Sequence, residues 1–569
     1  MAVAACTGTI GGPLPDQLYS VGGGADGGVS GAGTGAGSGA PGTSSAPDGT
    51  SVAAEGRVRR LTNREYTNSV ADIFGDLNTA PPPTADPTTT GFDNDYDSMS
   101  MSDNVVVAYQ SLAESVAGSV GAALKTLLPC SAAPPLDETS CASQFIAKYG
   151  RLAYRRALTT SEASQLLGVF SFARGQPGGV VSFAAAIEEV VSALLQSPNY
   201  LYRDELGPSA PGGSATARLT GYQLATELSY YLWAGPPDDA LLAAAENGTL
   251  DTDAGVATAV SRLLADAKAQ RSVSTFFRQL LLVDNLPSIA KSTAFYPNYS
   301  AQLATSMLGE TTAFVNDVIF NRDASFTTLF TSNQSFANAD VAGIYGLTGA
   351  SAPTGASFVP VTLDPTQRAG LVTQPAFITA NTDTGEVTPV LDGKAVLEQL
   401  FCVFIGPPPN TVPPLPPPAP GVSARARMAA HVSSATCAGC HTQLDGAGWT
   451  LEQYGGLGQW RTQDEGVTFA TPGQGTLIGT DVDGPVTGGV GLAQKIAASA
   501  QAQACMDTHY LKYALGRNIS STTDASSIAQ TLADFQNDNL SVKTLIASVT
   551  RSPAFLYRTP PSLSLDGGQ

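Results

Sequence analysis

The stretch RRLTNREYTNSVADIFG, residues 59–75, decides how the rest of the chain is read. Thr62 and Glu65 stand three apart at its start, the spacing at which a hydroxyl and a carboxylate cap each other's backbone N–H groups. Behind them Tyr66, Val70, Ile73 and Phe74 fall on one face of a 3.6-residue period, which predicts an amphipathic helix. The same start signal returns as Thr159 with Glu162 before ASQLLGVFSF, and as Thr220 with Gln223 before LATELSYYLW. AAAIEEVVSALLQ, ETTAFVNDVIF and SIAQTLADFQ continue the helical pattern, whereas only VTFATPGQGTLIG alternates as a strand would. The expected fold is mainly α: a multi-domain helical body with little β structure.

The helical pattern also repeats. GRLAYRRALTTSEASQLL (150–167) is similar to YALGRNISSTTDASSIAQ (513–530), and an alignment of Arg155 with Arg517 and Ala163 with Ala525 uses one offset. Each copy then closes alike, as SALLQSPNYLYR (192–203) and ASVTRSPAFLYR (547–558). Two related helical modules should therefore flank the centre. Cys141 and Cys505 stand at comparable places at the start of the copies. Cys130 is the local partner for Cys141, and Cys402 is left to pair with Cys505, although sequence alone does not fix connectivity. Such pairs imply an oxidising compartment, because cytosolic thiols are kept reduced.

Composition narrows the function classes. The 569 residues carry 48 acidic side chains against 29 Lys plus Arg, a formal net charge of −19. That balance opposes nucleic acid, whose affinity comes mostly from clustered cations displacing counterions. No run approaches the ~18 to 20 apolar residues of a bilayer span, so membrane attachment is expected only through a lipid anchor. Cys6, in VAACTG, is similar to the acylated cysteine of a bacterial lipobox, whose export signal would lie upstream of Met1. Residues 21–56, almost devoid of large apolar side chains, read as a flexible Gly/Ser tether behind that anchor.

Cys437-Ala438-Gly439-Cys440-His441 is the sharpest chemical signal. Two thiols on one helical turn can form thioethers with the haem vinyl groups, and the following imidazole can ligate the iron. A redox dithiol would lack its usual βαβ surroundings. Structural zinc with His431 added is awkward, because adjacent Cys440 and His441 chelate one tetrahedral ion poorly. The reading is one covalent haem c, with His441 as proximal ligand. His431 is the first candidate for the sixth iron position and Met506 the alternative, with Met428 and His509 further candidates. Trp449, Tyr454 and Trp460 are candidates to wall the haem, and Arg461 to hold a propionate. The run GPPPNTVPPLPPPAPG (406–421) cannot be helical and reads as a boundary or a strap before this region.

Taken together, several segments make the chain resemble a large uncharacterised family of exported multi-domain proteins of myxobacteria and planctomycetes. The segments are RRLTNREYTNSVADIFG, FDNDYDSMS, YRRALTTSE, LLQSPNYLYRDE, LTGYQLATELSYYLWAGPPDDALL, AGLVTQPAF, AHVSSATCAGCHTQLDGAGWTLEQYGGLGQWR and YALGRN. That family joins consecutive domains of unknown function to one cytochrome-c-like module. The resemblance implies an exported haem protein, and in it His431 also recurs before the haem motif. The chain departs from the pattern at Asp392, where the family usually has Arg before Gly393.

The expected organisation is a lipoprotein-like N-terminus (1–20), the tether (21–56), an N-terminal helical domain (57–128) and a first helical module (129–210). A central helical domain (217–350), a connecting region (351–420), the haem module (421–488) and a second helical module (489–560) follow. Asp93, Asp95 and Asp97 lack the glycine and terminal glutamate of an EF-hand loop and read as a solvated, capping acidic loop. Arg155, Arg156, Arg203, Asp204 and Glu205 read as interdomain salt-bridge residues. The expected function is electron transfer by a lipid-anchored c-type cytochrome in the periplasm or on the surface of a Gram-negative bacterium. Its partner would be a redox protein or a small electron donor or acceptor. The alternatives are a haem oxidoreductase acting on a small or polymeric substrate, and a surface scaffold with structural haem.

Overall fold

In the computed structural model, the residues described are 55–559, apart from 78–81, 83, 131–136, 176–180, 208–215, 350–351, 383–388, 408–416 and 434. Cys6, the tether up to residue 54 and most of the Pro-rich run lie outside the described residues. The fold is mainly α, and the sheets among the described residues are five antiparallel two-stranded ribbons. No helix of the described residues is long and apolar enough to cross a membrane.

The helices that carry the argument are, in chain order, α1 (Asn63–Phe74), α2 (Glu138–Tyr154), α3 (Thr160–Arg174), α4 (Phe183–Gln196) and α5 (Gly221–Trp233). They continue as α6 (Pro389–Ala395), α7 (Ala424–His431), α8 (Ala435–Gly448), α9 (Ala500–Leu515), α10 (Ala525–Asn537) and α11 (Val542–Val549). The three capping boxes start α1, α3 and α5 as their spacing predicts. In α1 the Glu65 backbone N–H donates to Thr62 Oγ1 at 3.0 Å, and the Thr62 N–H donates to Glu65 Oε2 at 2.9 Å. The face carrying Tyr66, Val70, Ile73 and Phe74 is buried.

The two modules share one element order. α2, α3 and α4 lead to a short helix at Pro198–Leu201 and a strand at Tyr202–Asp204. α9, α10 and α11 lead to Pro553–Leu556 and Tyr557–Arg558. Local bonding corrects the alignment at the first turn. Arg156 binds Glu162 through both guanidinium nitrogens, at 2.9 and 2.7 Å, and donates to the carbonyl of the next residue, Ala157. Arg517 makes the matching set with Asp524, at 2.8 and 2.7 Å, and with the Asn518 carbonyl. Arg517 is thus the counterpart of Arg156, and one residue is inserted before Asp524. Arg155 corresponds to Gly516: both end their helices in the left-handed region, with φ of 56° and 61°.

Each closing strand pairs with the strand that leads into a capping box. Tyr202–Asp204 pairs with Val58–Arg60, and Tyr557–Arg558 with Ala217–Arg218. The apolar core forms two large clusters. α5 joins them, with Tyr230 in the N-terminal cluster and Leu228 and Trp233 in the other. The disulfides Cys130–Cys141 and Cys402–Cys505 are both present.

The acidic loop is occupied by ion pairs and hydrogen bonds rather than laid out as a cation cage. Asp93 pairs with Arg64 at 2.5 Å and Asp97 with Arg57 at 2.6 Å. Asp95 accepts from Thr89, Ser98 and the Asp97 backbone. The salt-bridge expectation needs correction at three residues. Arg155 clamps the carbonyls of Asn199, Tyr200 and Tyr202, Arg156 pairs locally, and Asp204 accepts from the Leu206 N–H. Arg203 and Glu205 do join distant segments. Glu205 binds Arg59 at 2.9 Å and Arg558 at 2.6 Å, while Arg203 lies 3.5 Å from Glu65 and 3.6 Å from Glu227.

Candidate functional site

The motif cysteines lie in the first turns of α8, whose position is fixed by backbone contact on two sides. A Cβ on Gly448 would sit 1.8 Å from the Pro389 carbonyl oxygen, and one on Gly393 would sit 1.9 Å from that of Leu444. No side chain fits there, so α6 and α8 pack backbone to backbone in antiparallel register. The glycines are required by that close approach. The ribbon of Gln474–Leu477 with Gly484–Thr487 packs on α8 from another side, where Gly446 meets the Thr476 carbonyl. Helix α6 precedes the Pro-rich run in sequence, yet packs on the motif helix that follows it.

Among the described residues, Cys437 and Cys440 are the cysteines outside disulfides; Cys440 is exposed and Cys437 half-buried. His441 is oriented by the residue one turn further on: its Nδ1 lies 3.0 Å from Oδ1 of the buried Asp445. A carboxylate on one ring nitrogen fixes the tautomer and presents the other nitrogen, Nε2, as a ligand atom. Asp445 was missed in the sequence, although its i+4 position on a predicted helix was a readable signal.

The other sequence candidates fall into three places. His431 is the last residue of α7, whose C-terminal turn at Val432 and Ser433 precedes α8; its side chain is outside those described. Trp449 and Arg461 stand at the far end of α8. Trp449 follows His441 by eight residues, about 12 Å at the helical rise. There they line a cavity of about 100 Å³ together with Asp392, Arg425, Glu452 and Asp464. Arg425 lies over the Trp449 ring at 4.4 Å and binds Glu452 at 2.7 Å, while Arg461 binds Asp464 at 2.8 Å. Trp460 packs edge-on against Tyr454. Asp392 is buried, its Oδ1 has no hydrogen-bond partner among the described residues, and burial raises its carboxyl well above the usual range despite Lys291 and Arg461 nearby.

Met506 and His509 occupy the third place, buried on α9. Met506 belongs to the large core cluster. Nε2 of His509 lies 3.6 Å from Cys402 Sγ, and the ring meets Phe92 edge-on. Burial first, then the Lys512 charge, push this imidazole down to about 3, so it is neutral at ordinary pH. The structure brings Cys437, Cys440, His441 and Asp445 together on one helix. It does not place Trp449, Arg461 or Met506 on that turn.

Comparison with known families finds five consecutive matches, each described as a protein of unknown function: DUF1587 at 59–121, DUF1595 at 141–205, DUF1592 at 219–347, DUF1588 at 368–464 and DUF1585 at 482–555. The chain therefore carries these five domains in series. No curated protein and no solved structure matches it.

Proposed function

We propose that the protein is an exported c-type haem protein that transfers electrons, with the porphyrin held by Cys437 and Cys440 and the iron by His441. One observation carries the reading: two thiols free of disulfides, one helical turn apart, stand beside an imidazole already oriented by a buried carboxylate. The donor set fits the group, since two thiolates and an adjacent imidazole are what covalent attachment and axial ligation need. The label of the family matching 368–464, PSCyt3, points the same way.

When bound, the haem would supply one-electron redox chemistry. The chain's own residues do the rest. The glycine contacts of Gly393 and Gly448 hold α8 in place, Asp445 keeps the imidazole turned, and the acidic surface sets which partners approach. His431 is the proposed sixth ligand and Met506 the alternative. The turn at Val432 and Ser433 supports His431, because it breaks the helical course between that residue and the motif. The two disulfides are in keeping with export, and attachment through an acylated Cys6 with a tether behind it completes the proposal.

Protein matured in a host that attaches c-type haem tests this reading. Acid–acetone should leave the pigment on the chain, and Cys437→Ala or Cys440→Ala should make it extractable or prevent its attachment. Pigment released freely from the unaltered protein overturns the proposal. Asp445→Asn should keep the pigment covalent while moving the reduction potential, since it changes the basicity of His441 and not its attachment.

A further inference from the structure

The disulfide Cys402–Cys505, buried at Cys505 and half-buried at Cys402, is the least explained feature near α9. It is not a plain structural link, because an imidazole is aimed at it. Nε2 of His509 lies 3.6 Å from Cys402 Sγ, and one ligand atom from each of Cys402, Cys505 and His509 lies within 4.8 Å of the other two. Tetrahedral zinc has Zn–S near 2.3 Å and Zn–N near 2.0 to 2.1 Å, which puts neighbouring sulfur and nitrogen ligands about 3.6 Å apart and two sulfurs about 3.8 Å apart. The edge between Cys402 sulfur and the imidazole is therefore already in place. The Cys505-to-imidazole edge lies within 4.8 Å, and the sulfur-to-sulfur edge must open, which requires breaking the disulfide.

We propose that Cys402, Cys505 and His509 form a redox-controlled zinc site, closed as a disulfide and opened by reduction. The reductant is an exported dithiol. Its thiolate attacks Sγ of Cys402, the half-buried residue of the pair, while Cys505 is buried and leaves as a thiolate. The second thiol of the reductant then resolves the mixed disulfide, so the reductant ends as a disulfide and the protein gains two electrons and two protons as two thiols. Zinc binding releases those two protons and leaves two thiolates and a neutral imidazole on the ion, with a fourth position open on the exposed side of Cys402.

The surroundings suit this set. The Gln399 carbonyl oxygen accepts from the His509 ring and lies 3.7 Å from Cys505 Sγ, so on reduction it can accept from the thiol instead while the imidazole turns to the ion, and Phe92 walls the ring. Both partners sit on fixed elements: Cys505 and His509 are one turn apart on α9, and Cys402 follows the helical turn Val396–Leu400. The proposal is independent of haem at Cys437 and Cys440.

The test is equilibrium dialysis against zinc in a Cys130→Ser/Cys141→Ser/Cys437→Ser/Cys440→Ser background, which leaves Cys402 and Cys505 as the cysteines among the described residues, because the reductant would otherwise open Cys130–Cys141 as well. Oxidised protein should bind no zinc at this site. Protein treated with a phosphine reductant should bind one zinc per chain, with at least a tenfold loss of affinity in His509→Gln and complete loss in Cys402→Ser. Far-ultraviolet circular dichroism establishes that each form stays folded. A reduced, folded chain that binds no more zinc than the oxidised one overturns the proposal. So does undiminished binding in His509→Gln, or a chain that loses its helices on reduction and binds none.

Discussion

Two parts of this molecule are built alike and connected differently. In the first, the strand Val58–Arg60 and α1 are closed by α2 to α4 and the strand Tyr202–Asp204. In the second, Ala217–Arg218 and α5 are closed by α9 to α11 and Tyr557–Arg558. The correspondence extends to single bonds: Leu61 N–H donates to the Leu201 carbonyl at 2.8 Å, and Leu219 N–H to the Leu556 carbonyl at 2.9 Å. Yet residues 234–499, which include the motif helix, lie between the two pieces of the second part. Loop closure grows only logarithmically with loop length, so the same junction forms whether its pieces are near or far in sequence. The long insertion carries the proposed haem motif, and the repeated junction closes around it.

The disulfides give the sharpest way to break this comparison. Cys402–Cys505 spans 103 residues and ties the insertion to the second module, whereas Cys130–Cys141 spans 11 within the first. From the restriction of the unfolded chain, Cys402→Ser with Cys505→Ser should cost about 4.7 kcal/mol, and Cys130→Ser with Cys141→Ser about 2.8 kcal/mol. Urea unfolding of the two double variants checks both the size and the order. Equal losses would show that the insertion is held mainly by its own packing.

The charges where the two parts meet come next. Arg558, closing the second part, pairs at 2.6 Å with Glu205, which follows the strand closing the first, and both are buried. Arg558→Met leaves Glu205 with one fewer partner and should cost roughly 3 to 5 kcal/mol, the range for breaking a buried pair from one side. Arg203→Met is its counterpart. It should cost less, since Arg203 meets Glu65 and Glu227 only at 3.5 and 3.6 Å. Chemical denaturation of the two variants side by side decides the order.

The same cluster sets a pH dependence. Burial would raise Glu205, but Arg59, Arg558 and Arg203 outweigh it and hold its carboxyl well below the usual range. Burial wins at Glu227, pushing it up to about 7 against Arg203 and Arg59. Glu310 and Asp507, also buried, are raised to about 7. Each raised carboxyl binds more protons folded than unfolded, so stability should fall as pH rises from about 5 to 7. Below about 4.5 the lowered groups reverse the trend, because Glu205, and Glu162 held down to about 2 by Arg156, lose stability as pH falls. Thermal melts across pH 4 to 8 should peak near 5, and Glu227→Gln should flatten the fall between 5 and 7. A melting temperature that climbs steadily to pH 8 contradicts this.

What was legible in the sequence follows from how far each signal reaches. The capping boxes and helical faces are local, so Thr62, Thr159 and Thr220 start helices where their spacing says. The repeat was visible because SPNYLYR and SPAFLYR stayed similar, but the register at Arg155 was off by one. Only the bonding of Arg156 and Arg517 shows where the extra residue lies. The closing strands, two or three residues long, are too short to show a period of two. The motif cysteines and His441 stood out by chemistry. Asp445 could have been found by helical spacing, whereas the contact of His509 with Cys402 is made by chain segments 107 residues apart and leaves no local trace.

The smallest effect asks whether the two junctions are equivalent at their helix starts. Thr62 and Thr220 do the same work, each accepting from the N–H three residues on, at 3.0 and 3.4 Å. Their surroundings differ: the Thr62 box is buried, and its Glu65 also faces Arg203, whereas the Thr220 box is exposed. Removing a cap typically costs ~0.5 to 2 kcal/mol. An exposed N–H can turn to water when its partner is lost, but a buried one is left unsatisfied and incurs the full desolvation cost. Thr62→Ala should therefore fall near the top of that range and Thr220→Ala near the bottom. Thr62→Ser, which keeps the hydroxyl, should recover most of the loss. If the two alanine variants cost the same, burial of the cap makes no difference between the junctions; if serine recovers nothing, the loss at Thr62 comes from packing of its methyl group and not from its hydrogen bond.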